Sequence, residues 1–232
     1  MQRTGTMIAV VVAGLAVVAG IGYVAVEHPT RASAGATATA TTTPPRGTRV
    51  VTIGDSIMAG YGLDSAADAW PAMLGRVDHL RVTNLGCSGG GFVAVGDCDT
   101  DFAGLVAQAE AAHPAIVIVQ SSDNDLGQDA ATIESATAAT VAQLHAALPS
   151  ARIVGLSTLW GQPGDVPDEV AQSSASLQRA VQAAHGTFVD VGQPLAGHAD
   201  LLQSDSEHPT VAGQRVLTRV IQHDLRRAGV AI

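Results

Sequence analysis

Apolar residues along this chain follow two alternating rhythms. Short, nearly continuous β-branched runs read as strands buried on both faces. Val50-Val51-Thr52-Ile53 and residues 115–119 (Ala-Ile-Val-Ile-Val) are the clearest. Residues 79–85, 152–156 and 187–191 complete a set of five. Between them lie stretches with apolar positions at helical spacing, predicting helices over 66–77, 102–112, 130–147, 168–184 and 211–227. Pro71 falls in the first turn of its helix, where proline is tolerated. Strict alternation of strand and helix predicts an α/β fold in which a parallel five-stranded sheet is covered by helices on both faces.

The N-terminal pattern is different. Residues 7–26 form an apolar run of twenty, with Arg3 before it and Glu27 after it. That length spans a bilayer and exceeds a usual signal-peptide core, while Ala32-Ser33-Ala34 offers a small-residue cleavage site. Residues 1–26 are therefore expected to be a signal peptide or an uncleaved signal anchor. Either places the remainder outside the cytoplasm, secreted or membrane-anchored. Residues 27–47 are Ala, Thr and Pro with almost no large side chains. They cannot bury enough surface to offset their ordering entropy and are expected to be a disordered stalk. Residues 48–232 form the folded domain, of a size that supports one full core.

The formal charge of −9 and twelve scattered basic residues, all arginine, argue against nucleic acid as a partner. Cys87 and Cys98 are the only cysteines, and in an exported chain a close pair predicts a disulfide. No cluster has zinc-ligand spacing.

Candidate chemistry gathers after the strands. The first run opens into Gly54-Asp55-Ser56-Ile57, a tight turn with serine at its tip. A lone serine there more often caps the next helix. The glycine-rich Gly86-Cys87-Ser88-Gly89-Gly90-Gly91 follows the second strand, and Ser122-Asp123-Asn124-Asp125 the third. Parallel strands bring such turns to one edge of the sheet. Far downstream, Asp205 and His208 are three residues apart, so a carboxylate can fix the imidazole while its other nitrogen faces a serine. Glu-His-Pro-Thr occurs at residues 27–30 and 207–210, but only the second copy has an Asp three residues before its histidine.

Gly54-Asp55-Ser56-Ile57, Asn84-Leu85-Gly86-Cys87-Ser88-Gly89, Asn124-Asp125 and Asp205-Ser206-Glu207-His208-Pro209 together resemble the four sequence blocks of the SGNH, or GDSL-type, hydrolases. Gly60-Tyr61-Gly62 and Ala69-Trp70-Pro71 resemble the lysophospholipase-like and arylesterase-like branch. The resemblance spans residues 50–227 and implies a flavodoxin-like three-layer α/β/α architecture. It implies a lipase-like serine esterase with Ser56 as nucleophile, His208 as base and Asp205 orienting it. The backbone N–H groups of Ser56 and Gly89 and the side-chain amide of Asn124 would form the oxyanion hole. No cofactor or metal is implied. The expected substrate is a small-molecule, lipid or glycan ester, and the expected state a monomer. Acyl transfer or deacetylation on cell-envelope glycans, and a catalytically weakened binding module, are the alternatives.

Two positions depart from the family pattern. Ser122 replaces a glycine, which would strain the turn if a positive φ were needed there. Asp123 adds a carboxylate beside the oxyanion residue and is expected to face away, bonding its own turn. Gly86-Cys87-Ser88-Gly89-Gly90 also fits the Gly-x-Ser-x-Gly nucleophile elbow, but no helix pattern follows it directly, so Ser88 is read as a decoy. His113, His145 and His223 are expected to be solvated. Loops 160–166 and 193–202 are expected to wall the pocket.

Overall fold

The computed structural model describes residues 47–232. The apolar run 7–26 and most of the predicted stalk lie outside the described residues. Among those described, no helix is long and apolar enough to cross a membrane.

Five strands, β1 (Arg49–Gly54), β2 (Arg81–Gly86), β3 (Ile116–Gln120), β4 (Arg152–Leu156) and β5 (Thr187–Val189), form one sheet in the order β2-β1-β3-β4-β5. Every neighbouring pair is parallel. This is the doubly wound flavodoxin-like order, in which chain direction across the sheet reverses between β1 and β3 and opens a crevice there. The helices are α1 (Ser56–Ala59), α2 (Trp70–Val77), α3 (Val106–Ala111), α4 (Ala130–Ala147), α5 (Asp168–Ala183) and α6 (Val211–Arg227).

The two-residue period of β3 divides the core. Ile116 and Ile118 join Trp70, Leu74, Leu217, Ile221 and Leu225 under α2 and α6. Val117 and Val119 face the other way, onto Phe102, Leu105, Val141, Leu144, Leu177 and Val181 from the α3–α5 side. Ile118 is fully buried, so Ile118→Ala removes a packed branched chain at a cost of about 2–5 kcal/mol.

Where elements differ from the pattern, the cause is local. The helix expected over 66–77 breaks at Ala69, which is extended; a 3₁₀ turn at Ala66–Asp68 precedes α2. Pro71 has no N–H to give the Ala67 carbonyl and its ring would collide with it. β2 starts at Arg81 because His79 takes φ +54°, outside strand geometry. The first turn expected of the helix at 102 is 3₁₀ (Phe102–Leu105), a common helix entry. β5 stops at Val189 because the Val191 N–H bonds the Ser157 hydroxyl at 2.9 Å rather than the ladder.

Candidate active site

The in-register pair Gly54–Gly86 ends β1 and β2 side by side. Ser56 opens α1, a single turn too short to be stable alone. Side chains from distant parts of the chain hold it. Asp55, not Ser56, is the helix N-cap, accepting from the Ile57 N–H at 3.0 Å. The last carbonyls of so short a helix lack internal donors. Asn84 Nδ2 donates to Met58 O at 2.8 Å, and Gln214 Nε2 donates to Ile57 O at 2.9 Å. Gly86 lets α1 lie against β2, since a Cβ there would come within 2.4 Å of the Ala59 nitrogen.

His208 reaches Ser56 from the segment preceding α6. Its Nε2 lies 2.9 Å from Ser56 Oγ, and its Nδ1 lies 2.9 Å from Asp205 Oδ2. The other Asp205 oxygen accepts the Glu207 and His208 backbone N–H groups, each at 3.0 Å. Ser206 takes φ +61° to make that turn. Donation from the His208 backbone N–H, above all, lowers the Asp205 pKa to about 2. With Nδ1 bonded to the carboxylate, Nε2 is the ring nitrogen that faces the serine hydroxyl. Tyr61 packs its ring on the imidazole at 4.5 Å between centroids.

The second and third turns meet beside this contact. Cys87 N–H donates to Gly54 O at 2.8 Å, and Cys87 is disulfide-bonded to Cys98, as expected. Gly89 takes φ +74° at the tip of the loop, a conformation that calls for glycine. Asn124 Nδ2 donates to Gly90 O at 3.1 Å and to Ser122 Oγ at 2.9 Å, joining the two turns. Asp125 does so again, accepting from Phe92 N–H at 2.7 Å, Val93 N–H at 3.0 Å and Ala94 N–H at 2.9 Å. The histidine bonded to a serine hydroxyl, among the described residues, is His208 on Ser56; Ser88 instead accepts the Asp97 N–H at its carbonyl. His113, His145 and His223 are exposed.

Both departures read differently in three dimensions. Ser122 has φ −114°, extended backbone open to any residue, so its side chain brings no strain. Its buried hydroxyl accepts the Asn124 backbone and side-chain N–H groups and lies against the Asp55 carboxylate. Burial raises the Asp55 pKa, with Ser122 and the α1 amides opposing that shift. Asp123 does not simply turn away. It meets its own backbone N–H, but burial first, then the charges of Asp55 and Glu207, push its pKa up to about 7.

The expected pocket walls are tied together. Gln193 Oε1 accepts the Trp160 N–H at 2.7 Å and Gln193 Nε2 donates to Thr158 O, while Leu202 bridges to Pro209 next to His208.

A family model, the GDSL-like lipase/acylhydrolase family, matches residues 52–216. The chain belongs to that family. Solved structures share its fold at low identity. TesA is 22% identical with a TM-score of 0.63, covering 78% of this chain and 99% of its own. The psychrotrophic esterase EstA from Pseudoalteromonas sp. is 20% identical with a TM-score of 0.63, covering 78% and 97%. A family two carbohydrate esterase from Cellvibrio japonicus is 18% identical with a TM-score of 0.61, covering 79% of this chain and 62% of its own. No curated protein matches. Membership in the GDSL-like family supports ester hydrolysis in general terms.

Proposed function

We propose that this chain hydrolyses carboxylic esters through an acyl-serine intermediate, with Ser56 as nucleophile, His208 as base and Asp205 as its orienting carboxylate. The observation that carries the reading is the unbroken relay of two 2.9 Å contacts, Ser56 Oγ to His208 Nε2 and His208 Nδ1 to Asp205. His208 takes the Ser56 proton as Oγ bonds the ester carbon. When the ester C–O bond breaks, His208 passes that proton to the departing alcohol. Water then repeats the sequence on the acyl-serine, releasing the acid and restoring Ser56.

The oxyanion is met by the backbone N–H groups of Ser56 and Gly89 and by Asn124 Nδ2. In the resting site the Asn124 amide is shared between Ser122 Oγ and Gly90 O. A developing oxyanion draws an N–H away because charge-assisted bonds are about twice as strong as neutral ones. No step calls for a metal or cofactor.

A labelled alkyl phosphonate tests the assignment. It should modify Ser56 in the natural chain and in Ser88→Ala, and fail in Ser56→Ala. Label on Ser88 with Ser56→Ala still active would reject it. The same intermediate can pass its acyl group to a sugar hydroxyl, and product analysis with added glycans separates transfer from hydrolysis. The intact relay favours an enzyme over a weakened binding module. We place the domain outside the cytoplasm on the strength of the Cys87–Cys98 disulfide and the apolar run 7–26.

A further inference from the structure

Tyr61 is 51% exposed, yet it is held firmly in place. Its backbone N–H donates to Ser56 O at 3.0 Å, and its carbonyl accepts from Gln203 Nε2 at 2.8 Å. The same Gln203 Nε2 donates to Pro209 O at 3.0 Å, and the Gln203 backbone N–H donates to His208 O at 2.7 Å. One amide side chain thus fixes Tyr61 relative to the histidine. The ring covers part of the imidazole and leaves its remaining surface to solvent at the rim.

If the reading under Proposed function holds, this location has a defined chemical meaning. The leaving oxygen takes its proton from His208 Nε2, so the alcohol half of the ester must pass beside the imidazole. The acyl carbonyl points the other way, towards Gly89 and Asn124. A ring packed at a tilt against His208 therefore borders the alcohol half. Charge narrows the choice further. Asp205 lies beside the imidazole, and Glu207, the residue before His208, bonds the same Asp205 carboxylate through its backbone N–H. These carboxyl groups disfavour an alcohol bearing phosphate or carboxylate.

We propose that Tyr61 is a specificity-determining residue of an alcohol subsite, where its exposed face stacks on an uncharged ring, aryl or pyranose, carried by the leaving group. This deepens the esterase reading and rests on it.

Acetate esters test the idea because they share one acyl-enzyme: ethyl acetate, phenyl acetate, a monoacetylated methyl glucopyranoside and 4-acetoxybenzoate. In Tyr61→Ala the ratio of kcat/KM for a ring ester to that for ethyl acetate should fall about five- to tenfold, the size of an aromatic stacking contact. Tyr61→Leu, which keeps bulk but no flat face, should behave alike, and Tyr61→Phe should retain the ratio. A response confined to phenyl acetate makes the alcohol aryl; one confined to the glucoside makes it a sugar. 4-Acetoxybenzoate should be a poorer substrate than phenyl acetate, with the gap closing as salt is raised.

An equal loss on every ester would mean that Tyr61 only supports the imidazole, and an unchanged ratio would mean that it touches no alcohol. Either result overturns the proposal. Equal turnover of 4-acetoxybenzoate and phenyl acetate at low salt would overturn the preference for a neutral ring. Phosphonate labelling of Ser56 in each variant keeps these failures apart from failure of the acyl-serine reading, which would leave Ser56 unlabelled in the natural chain as well.

Discussion

Deleting the Ser122 hydroxyl perturbs the site without replacing any residue proposed to meet substrate. Ser122→Ala removes the acceptor of the Asn124 backbone N–H at 3.0 Å and of Asn124 Nδ2 at 2.9 Å, together with the hydroxyl beside Asp55. Ser122 is fully buried, so solvent does not directly replace it. Orphaned buried polar groups cost about 1–3 kcal/mol each. Asn124 is only partly buried and its amide keeps Gly90 O, so the lower part of that range applies to it. The expected loss of stability is about 2–4 kcal/mol, read as a lower urea midpoint at unchanged m-value.

Catalysis should suffer in a characteristic way. Full removal of one oxyanion donor costs about 10²–10³ in kcat. Ser122→Ala only frees the amide to rotate, so about a tenfold fall in kcat is expected. KM should hold, because the oxyanion contact forms in the transition state. Ser122→Gly leaves space for a water between Asn124 and Asp55 and should lose less than Ser122→Ala. Steady-state kinetics on one acetate ester and urea unfolding of the same samples suffice. Natural kcat in Ser122→Ala, or a change carried by KM, would refute the argument that this hydroxyl positions Asn124.

Three further predictions follow from the same geometry. Reducing Cys87–Cys98 should lower stability by roughly 3 kcal/mol in the chain-entropy model and slow turnover, since the bond anchors the loop carrying Gly89; unfolding and assay with and without reductant check both. Asp123 holds its proton to about pH 7 in the fold but only to its ordinary value near 3.8 when unfolded, so it makes stability fall as pH rises from about 4 to 7. Asp123→Asn should remove that slope and be stabilising relative to the natural chain at pH 8 but not at pH 4; equal effects at both would contradict it. Asp205, with its pKa held at about 2, stays ionised at any higher working pH, and its stabilising contribution is lost only as pH falls from the ordinary carboxylate range through about 2. Asp205 should therefore add no proton of its own to the acid limb of kcat/KM at working pH, and a step in that limb that vanishes in Asp205→Asn would contradict that reading.

The parts of the molecule readable from sequence are those where many residues repeat one physical demand. A strand such as β3, buried on both faces, must be apolar at consecutive positions, and a helix such as α6 must repeat its apolar face. The blocks around Ser56, Asn124 and His208 could be placed because each borders a recognisable element, β1, β3 and α6 in turn. Asn84, Gln214 and Gln203 were not singled out as bonding residues. Each makes a few bonds to backbone groups, as Gln214 does to Ile57 O across 157 residues, and one buried amide leaves no periodic trace. Asp125 was quoted only as part of a motif, and its grip on Phe92, Val93 and Ala94 appears only once two loops meet. Ser122 shows why a departure from pattern should be judged by side-chain chemistry as well as backbone freedom. Loss of glycine suggested strain, but the backbone there is extended and strain-free. The hydroxyl does what glycine cannot, joining the turn that carries Asn124 to the carboxylate that caps the helix of Ser56.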